Sequence, residues 1–104
     1  MIDQMTMNEI VRRVVEVAKP DHILLFGSSA RGEATEDSDI DLLVMKTGVP
    51  HRRRLAQDIY VRLIGIPVPV DVIVVTPEDI EELKDSVGTI IPAALSEGIE
   101  IYAA

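Results

Sequence analysis

LLFGSSARGEATEDSDIDLLV, residues 24–44, is the stretch on which the reading of this 104-residue chain turns. Ile23-Leu24-Leu25-Phe26 is a short, wholly apolar run and reads as a central strand. It ends at Gly27-Ser28. The segment Gly27-Ser28-Ser29-Ala30-Arg31-Gly32 then reads as a turn with about one helical turn between its glycines. Glu33 to Ser38 is a polar loop. A second strand is expected from Ser38 to Met45, and its side chains alternate across the sheet. Asp39 and Asp41 therefore share one face, and Ile40, Leu42 and Val44 the other. A turn able to meet phosphate oxygens thus lies beside two carboxylates able to hold a hard cation.

Outward from this stretch, helices and strands follow from apolar spacing and end signals. Thr6-Met7-Asn8-Glu9 has the form of a capping box. Ile10, Val11, Val14, Val15 and Ala18 recur behind it at helical intervals, and Pro20 stops the helix. Met1, Met5 and Met7 read as part of a loose terminus. Leu55, Ile59 and Leu63 form an i, i+4, i+8 stripe on a helix that ends by Gly65. Val70 to Val75 reads as a third buried strand, with Asp71 near its start. Thr76-Pro77-Glu78-Asp79 opens a helix with a capping hydroxyl, an early proline and acids in the first turn. A further helix is expected over Thr89 to Ser96, closed by Gly98, and Ile99 to Tyr102 reads as a short edge strand. The expectation is one α/β domain over residues 1–104, with a small mixed sheet of three to four strands and helices mainly on one side.

Composition narrows the function. The net charge of −8 argues against a general nucleic-acid binder, which would present a basic face to phosphates. The run His51-Arg52-Arg53-Arg54 reads as a solvated helical face rather than an RNA platform, since aromatics make up only 3% of the chain. There is no cysteine, so disulfides and thiolate metal sites are excluded. No stretch is apolar enough to span a bilayer and no signal-peptide pattern opens the chain, so no membrane association and a cytoplasmic location are expected.

Three acids at strand-like positions have a definite chemical use. In nucleotidyl transfer a hydroxyl attacks the α-phosphorus of a nucleoside triphosphate and pyrophosphate leaves. Two divalent cations about 3.5–4 Å apart stabilise both ends of that displacement. Mg²⁺ prefers carboxylate, water and phosphate oxygens, with Mn²⁺ as a substitute. Asp39 and Asp41 can bridge the two ions, and Asp71 can complete the site at which the attacking hydroxyl loses its proton. Gly27 lets the backbone approach the phosphates, Ser28 offers a hydroxyl and an N–H, and Arg31 adds a cation. An isolated Asp-x-Asp is usually a solvated pair. Here the pair abuts Leu42-Leu43-Val44, and Asp71 lies between Val70 and Val72, where uncompensated acids are costly.

Gly27-Ser28, ten intervening residues and Asp39-x-Asp41, with the later strand residue Asp71, resemble the minimal nucleotidyltransferase family of the DNA polymerase β-like superfamily. The resemblance extends over nearly the whole chain, to the closing EGIEIYA. It implies the nucleotidyltransferase fold. It also implies that Asp39, Asp41 and Asp71 are catalytic metal ligands, and that Gly27 and Ser28 bind the triphosphate, with Ser29 and Arg31 in the same segment. Members of this family are commonly paired with an all-helical HEPN protein as antitoxin and toxin, the antitoxin transferring AMP from ATP to a tyrosine of its partner. The resemblance therefore implies a protein adenylyltransferase acting as antitoxin. The chain carries no appended acceptor domain, so a protein partner or a second protomer is expected to complete the cleft. Two alternatives stand beside this: a small-molecule nucleotidyltransferase completed by another subunit, and a catalytically silent binding antitoxin.

Overall fold

The first helix, α1, spans Gln4–Ala18 and starts earlier than its sequence suggests. Its cap is Asp3, whose carboxylate accepts from the Thr6 backbone N–H at 2.7 Å, in place of the expected box at Thr6. Aspartate ranks ahead of threonine as a helix cap. The helix buries Met7, Ile10, Val14 and Ala18 along one stripe. Met7 is thus core rather than loose terminus, while Met5 stays exposed. The computed structural model describes residues 3–33 and 38–104.

There follow β1 (His22–Phe26), α2 (Ser28–Arg31), β2 (Ile40–Met45), α3 (Arg52–Arg62), β3 (Val70–Val75), α4 (Pro77–Leu83) and α5 (Ile91–Glu97). The chain then closes with β4 (Ile99–Ala103). The four strands form one mixed sheet in the order β3-β2-β1-β4. β1 runs antiparallel to both β2 and β4, and β2 runs parallel to β3. The start of β2 moves from the expected Ser38 to Ile40. Its first tie to the β3 side is Ile40 N–H to Pro69 C=O at 2.9 Å. Pro69 has no N–H to return, so the paired strands begin one residue later at Val70.

Alternation divides the apolar side chains between two clusters. Ile23, Leu25, Ile40, Leu42, Val44, Val72 and Val74 point to the face covered by α1 and α3, and form the larger core with Ile10, Val14 and Ile59. Phe26, Leu43 and Val75 point the other way and meet Ile91 and Ala94 of α5, with Ile80 and Leu83 of α4 beside them. α4 opens as expected: Thr76 Oγ1 accepts from Asp79 N–H while the Asp79 carboxylate accepts from Thr76 N–H. No helix among the described residues is long and apolar enough to cross a membrane.

Candidate active site

Strand register brings the acids together. Asp41 is the second residue of β2 and lies directly beside Asp71, the second residue of β3. In a parallel pair, partners in register present their side chains on the same face, so both carboxylates stand on the side of Phe26 and α5. Asp39 lies just before β2 rather than inside it, close enough for its charge to act on both Asp41 and Asp71. All three acids picked out in the sequence thus meet at one corner of the sheet.

Their electrostatics are those of crowded like charges. Asp41, half-buried, has its pKa raised above the usual carboxylate range, first by loss of water and then by the charges of Asp71 and Asp39. The positive charge of Arg31 opposes that rise. Asp71 is likewise raised, by loss of water, by the charge of Asp39 and by the hydrogen bond between them. Hard oxygen donors with unbalanced negative charge suit a divalent cation such as Mg²⁺. As the side chains stand, no group of three or more acidic or imidazole side chains among the described residues is arranged to hold an ion.

Gly27 makes room for this corner. It caps α2 with φ 75° and ψ −155°, a conformation open essentially to glycine alone. A Cβ there would overlap Asp41 Oδ2 and lie 3.3 Å from its carboxyl carbon. The backbone of the turn therefore passes against the Asp41 carboxylate because no side chain intervenes. Ser28 follows at the first position of α2. Ser29, the next residue, turns elsewhere. Its Oγ is buried without a hydrogen-bond partner among the described residues and borders a groove of about 750 Å³ between α1 and β4, lined also by Met7, Val11, Leu25, Ile101 and Tyr102.

Arg31 closes α2 and is already engaged. Its Nη1 donates to Glu97 Oε2 at 2.9 Å and its Nε to Glu33 Oε1 at 3.1 Å. Sequence reasoning did not reach Glu97. It lies 66 residues from Arg31 along the chain, at the end of α5, and no local pattern marks it.

A family model for nucleotidyltransferase domains matches residues 7–99. The chain belongs to that family. A Methanocaldococcus jannaschii protein, provisionally named a protein adenylyltransferase, is 33% identical, the match covering 76% of this chain and 61% of that protein. The nucleotidyltransferase domain described here thus spans about three-fifths of that curated relative's length. Among solved structures, a toxin–antitoxin with AMP-PNP superposes at a TM-score of 0.63 and 23% identity, covering 93% of this chain and 73% of the other. The toxin–antitoxin MntA-HepT gives 0.59 at 21%, covering 98% and 74%. A structure from Sulfolobus solfataricus, described as that of a nucleotidyltransferase, gives 0.57 at 19%, covering 98% and 90%. At these identities the solved structures share the fold, and the family resemblance carried by Gly27-Ser28 and Asp39-x-Asp41 stands with it.

Proposed function

We propose that this nucleotidyltransferase domain moves AMP from ATP to a hydroxyl of a protein partner, a tyrosine of a HEPN-type toxin, and so acts as antitoxin. The observation that carries the reading is the meeting of Asp39, Asp41 and Asp71 at one sheet corner against the backbone of Gly27. Asp39, Asp41 and Asp71 would hold the divalent cations, which supply charge neutralisation at the attacking, leaving and non-bridging oxygens. The chain's own parts do the rest. Gly27 and Ser28 seat the β- and γ-phosphates, because the turn presents backbone with no intervening side chain. Arg31 contributes a cation on the same side. Asp71, beside Asp41 on the neighbouring strand, would accept the proton of the attacking hydroxyl. The provisional name of the relative, and neighbours that are toxin–antitoxin complexes, one of them with AMP-PNP, support protein as the acceptor class.

The test is intact-mass measurement of a HEPN-type partner, encoded beside this chain, after incubation with ATP and Mg²⁺. The expected result is a gain of whole AMP units that disappears in excess chelator and in the Asp39→Ala/Asp41→Ala double variant. Transfer at full rate in chelator refutes the metal-dependent chemistry. Neutralisation of the toxin that survives the double variant without added mass refutes catalysis in favour of binding alone. Transfer to small hydroxyl compounds in preference to protein refutes the acceptor.

A further inference from the structure

Arg31 is the cation on the turn that would meet the nucleotide, yet in the free chain its guanidinium is spent on carboxylates. Nη1 donates to Glu97 at 2.9 Å and Nε to Glu33 at 3.1 Å. These partners differ in kind. Glu33 lies two residues on and can move with the turn. Glu97 belongs to α5, and that helix end is fixed on the sheet. Its cap, Gly98, donates to Ala94 C=O at 2.8 Å, and a Cβ at Gly98 would overlap Ala94 O and lie 3.4 Å from Leu24 Cβ of β1. The backbone of Glu97 is thus held to the sheet and does not travel with the turn that carries Arg31.

Charge decides the sign of the effect. The corner already holds Asp39, Asp41 and Asp71, and Arg31 is close enough to Asp41 to act on it. A triphosphate entering here meets net negative charge, and Glu97 both adds to it and occupies a donor that phosphate oxygens would otherwise take. We propose that Glu97 is a latch on Arg31, so that the triphosphate must break the Arg31–Glu97 ion pair to recruit the guanidinium. This rests on the reading of the Gly27-Ser28 turn as the triphosphate site. Glu97 is a positioning residue: it acts through Arg31 and does not touch the nucleotide. Each binding event thereby loosens the only ion pair among the described residues that ties α2 to α5.

The experiment is calorimetric titration of ATP with Mg²⁺ into the wild-type chain, Glu97→Gln, Arg31→Ala and the double variant. Glu97→Gln is expected to bind ATP more tightly by up to about fivefold, the upper end of the span of exposed ion pairs in double-mutant cycles. In the Arg31→Ala background the same change is expected to have almost no effect; with Arg31 present, Glu97→Gln lowers KM in turnover while kcat holds. Independently of any variant, ATP is expected to shift the Arg31 Nε–H signal in ¹⁵N spectra of the wild-type chain. Unchanged or weaker binding by Glu97→Gln overturns the latch, as does equal tightening with Arg31 absent, which would be a plain charge effect. An Arg31 signal indifferent to bound ATP overturns it too. A wild-type chain that binds no ATP overturns the proposed function and the latch together, whereas wild-type binding with a silent Glu97→Gln overturns the latch alone.

Discussion

Replacing Gly27 by alanine separates backbone strain from active-site geometry. The native φ of 75° and ψ of −155° fall in a region that costs a non-glycine residue about 1–3 kcal/mol. For a domain near 100 residues, each kcal/mol shifts the melting temperature by roughly 4–8 °C, so a fall of about 5–20 °C is expected. The second effect is steric. The added methyl group overlaps Asp41 Oδ2, the mobile end of a short side chain, and the overlap is relieved by swinging that carboxylate away. The steric consequence therefore appears in function, as nucleotide turnover lost by about the 10²-fold that an ångström-scale misplacement brings. Gly32→Ala is the control. Gly32 also has φ 75°, but with ψ 17° and no atom of the described residues within 4 Å of a Cβ, so its replacement loses about 1–2 kcal/mol and keeps activity. Urea melts and single-turnover rates on both variants read the two effects. Gly27→Ala turnover equal to that of Gly32→Ala would refute the claim that this glycine exists to admit the Asp41 carboxylate.

Three further outcomes follow from the same structure. Asp41→Asn is expected to stabilise the chain at neutral pH while abolishing turnover. The raised carboxyl holds its proton more tightly folded than unfolded, so wild-type stability falls as pH rises from about 3.9 to the raised value. The stabilisation read from urea midpoints should vanish at acid pH; a gain that is pH-independent would contradict the crowded-charge account. Mg²⁺ is expected to raise the melting temperature of the wild-type chain and not that of Asp39→Ala/Asp41→Ala, by preferential binding to the folded state. Equal shifts in both would place the ion elsewhere. Thr76→Ala removes one half of the α4 capping box and is expected to lose about 1 kcal/mol without changing turnover, since α4 begins at the opposite end of β3 from Asp71.

The strands were the most legible elements. Val70–Val75 has the bounds expected from its apolar run despite the interruption at Asp71, and the Thr76 cap was readable because hydroxyl, proline and acids within four residues admit few other uses. The start of α1 was less so, because Asp3 and Thr6 are both able caps lying three residues apart. The acids themselves were visible as polar interruptions at the edges of buried runs. Glu97 left no local trace, since its meaning arises only from an ion pair with a residue far away in sequence.

By itself, then, the order of residues determined which segments would be strands, which side chains alternate together, and that three carboxylates and a Gly-Ser turn needed a common explanation. Those are short-range properties, set by backbone sterics and apolar periodicity within a few residues. Whether Asp71 would join Asp41 was a different matter, because either face of β3 was open to it until pairing with β2 matched the two residues in register. The tertiary structure made that choice: a slip of one residue would have turned Val72 and Val74 out of the core, and the burial of those valines is what holds the third carboxylate on the side of the other two.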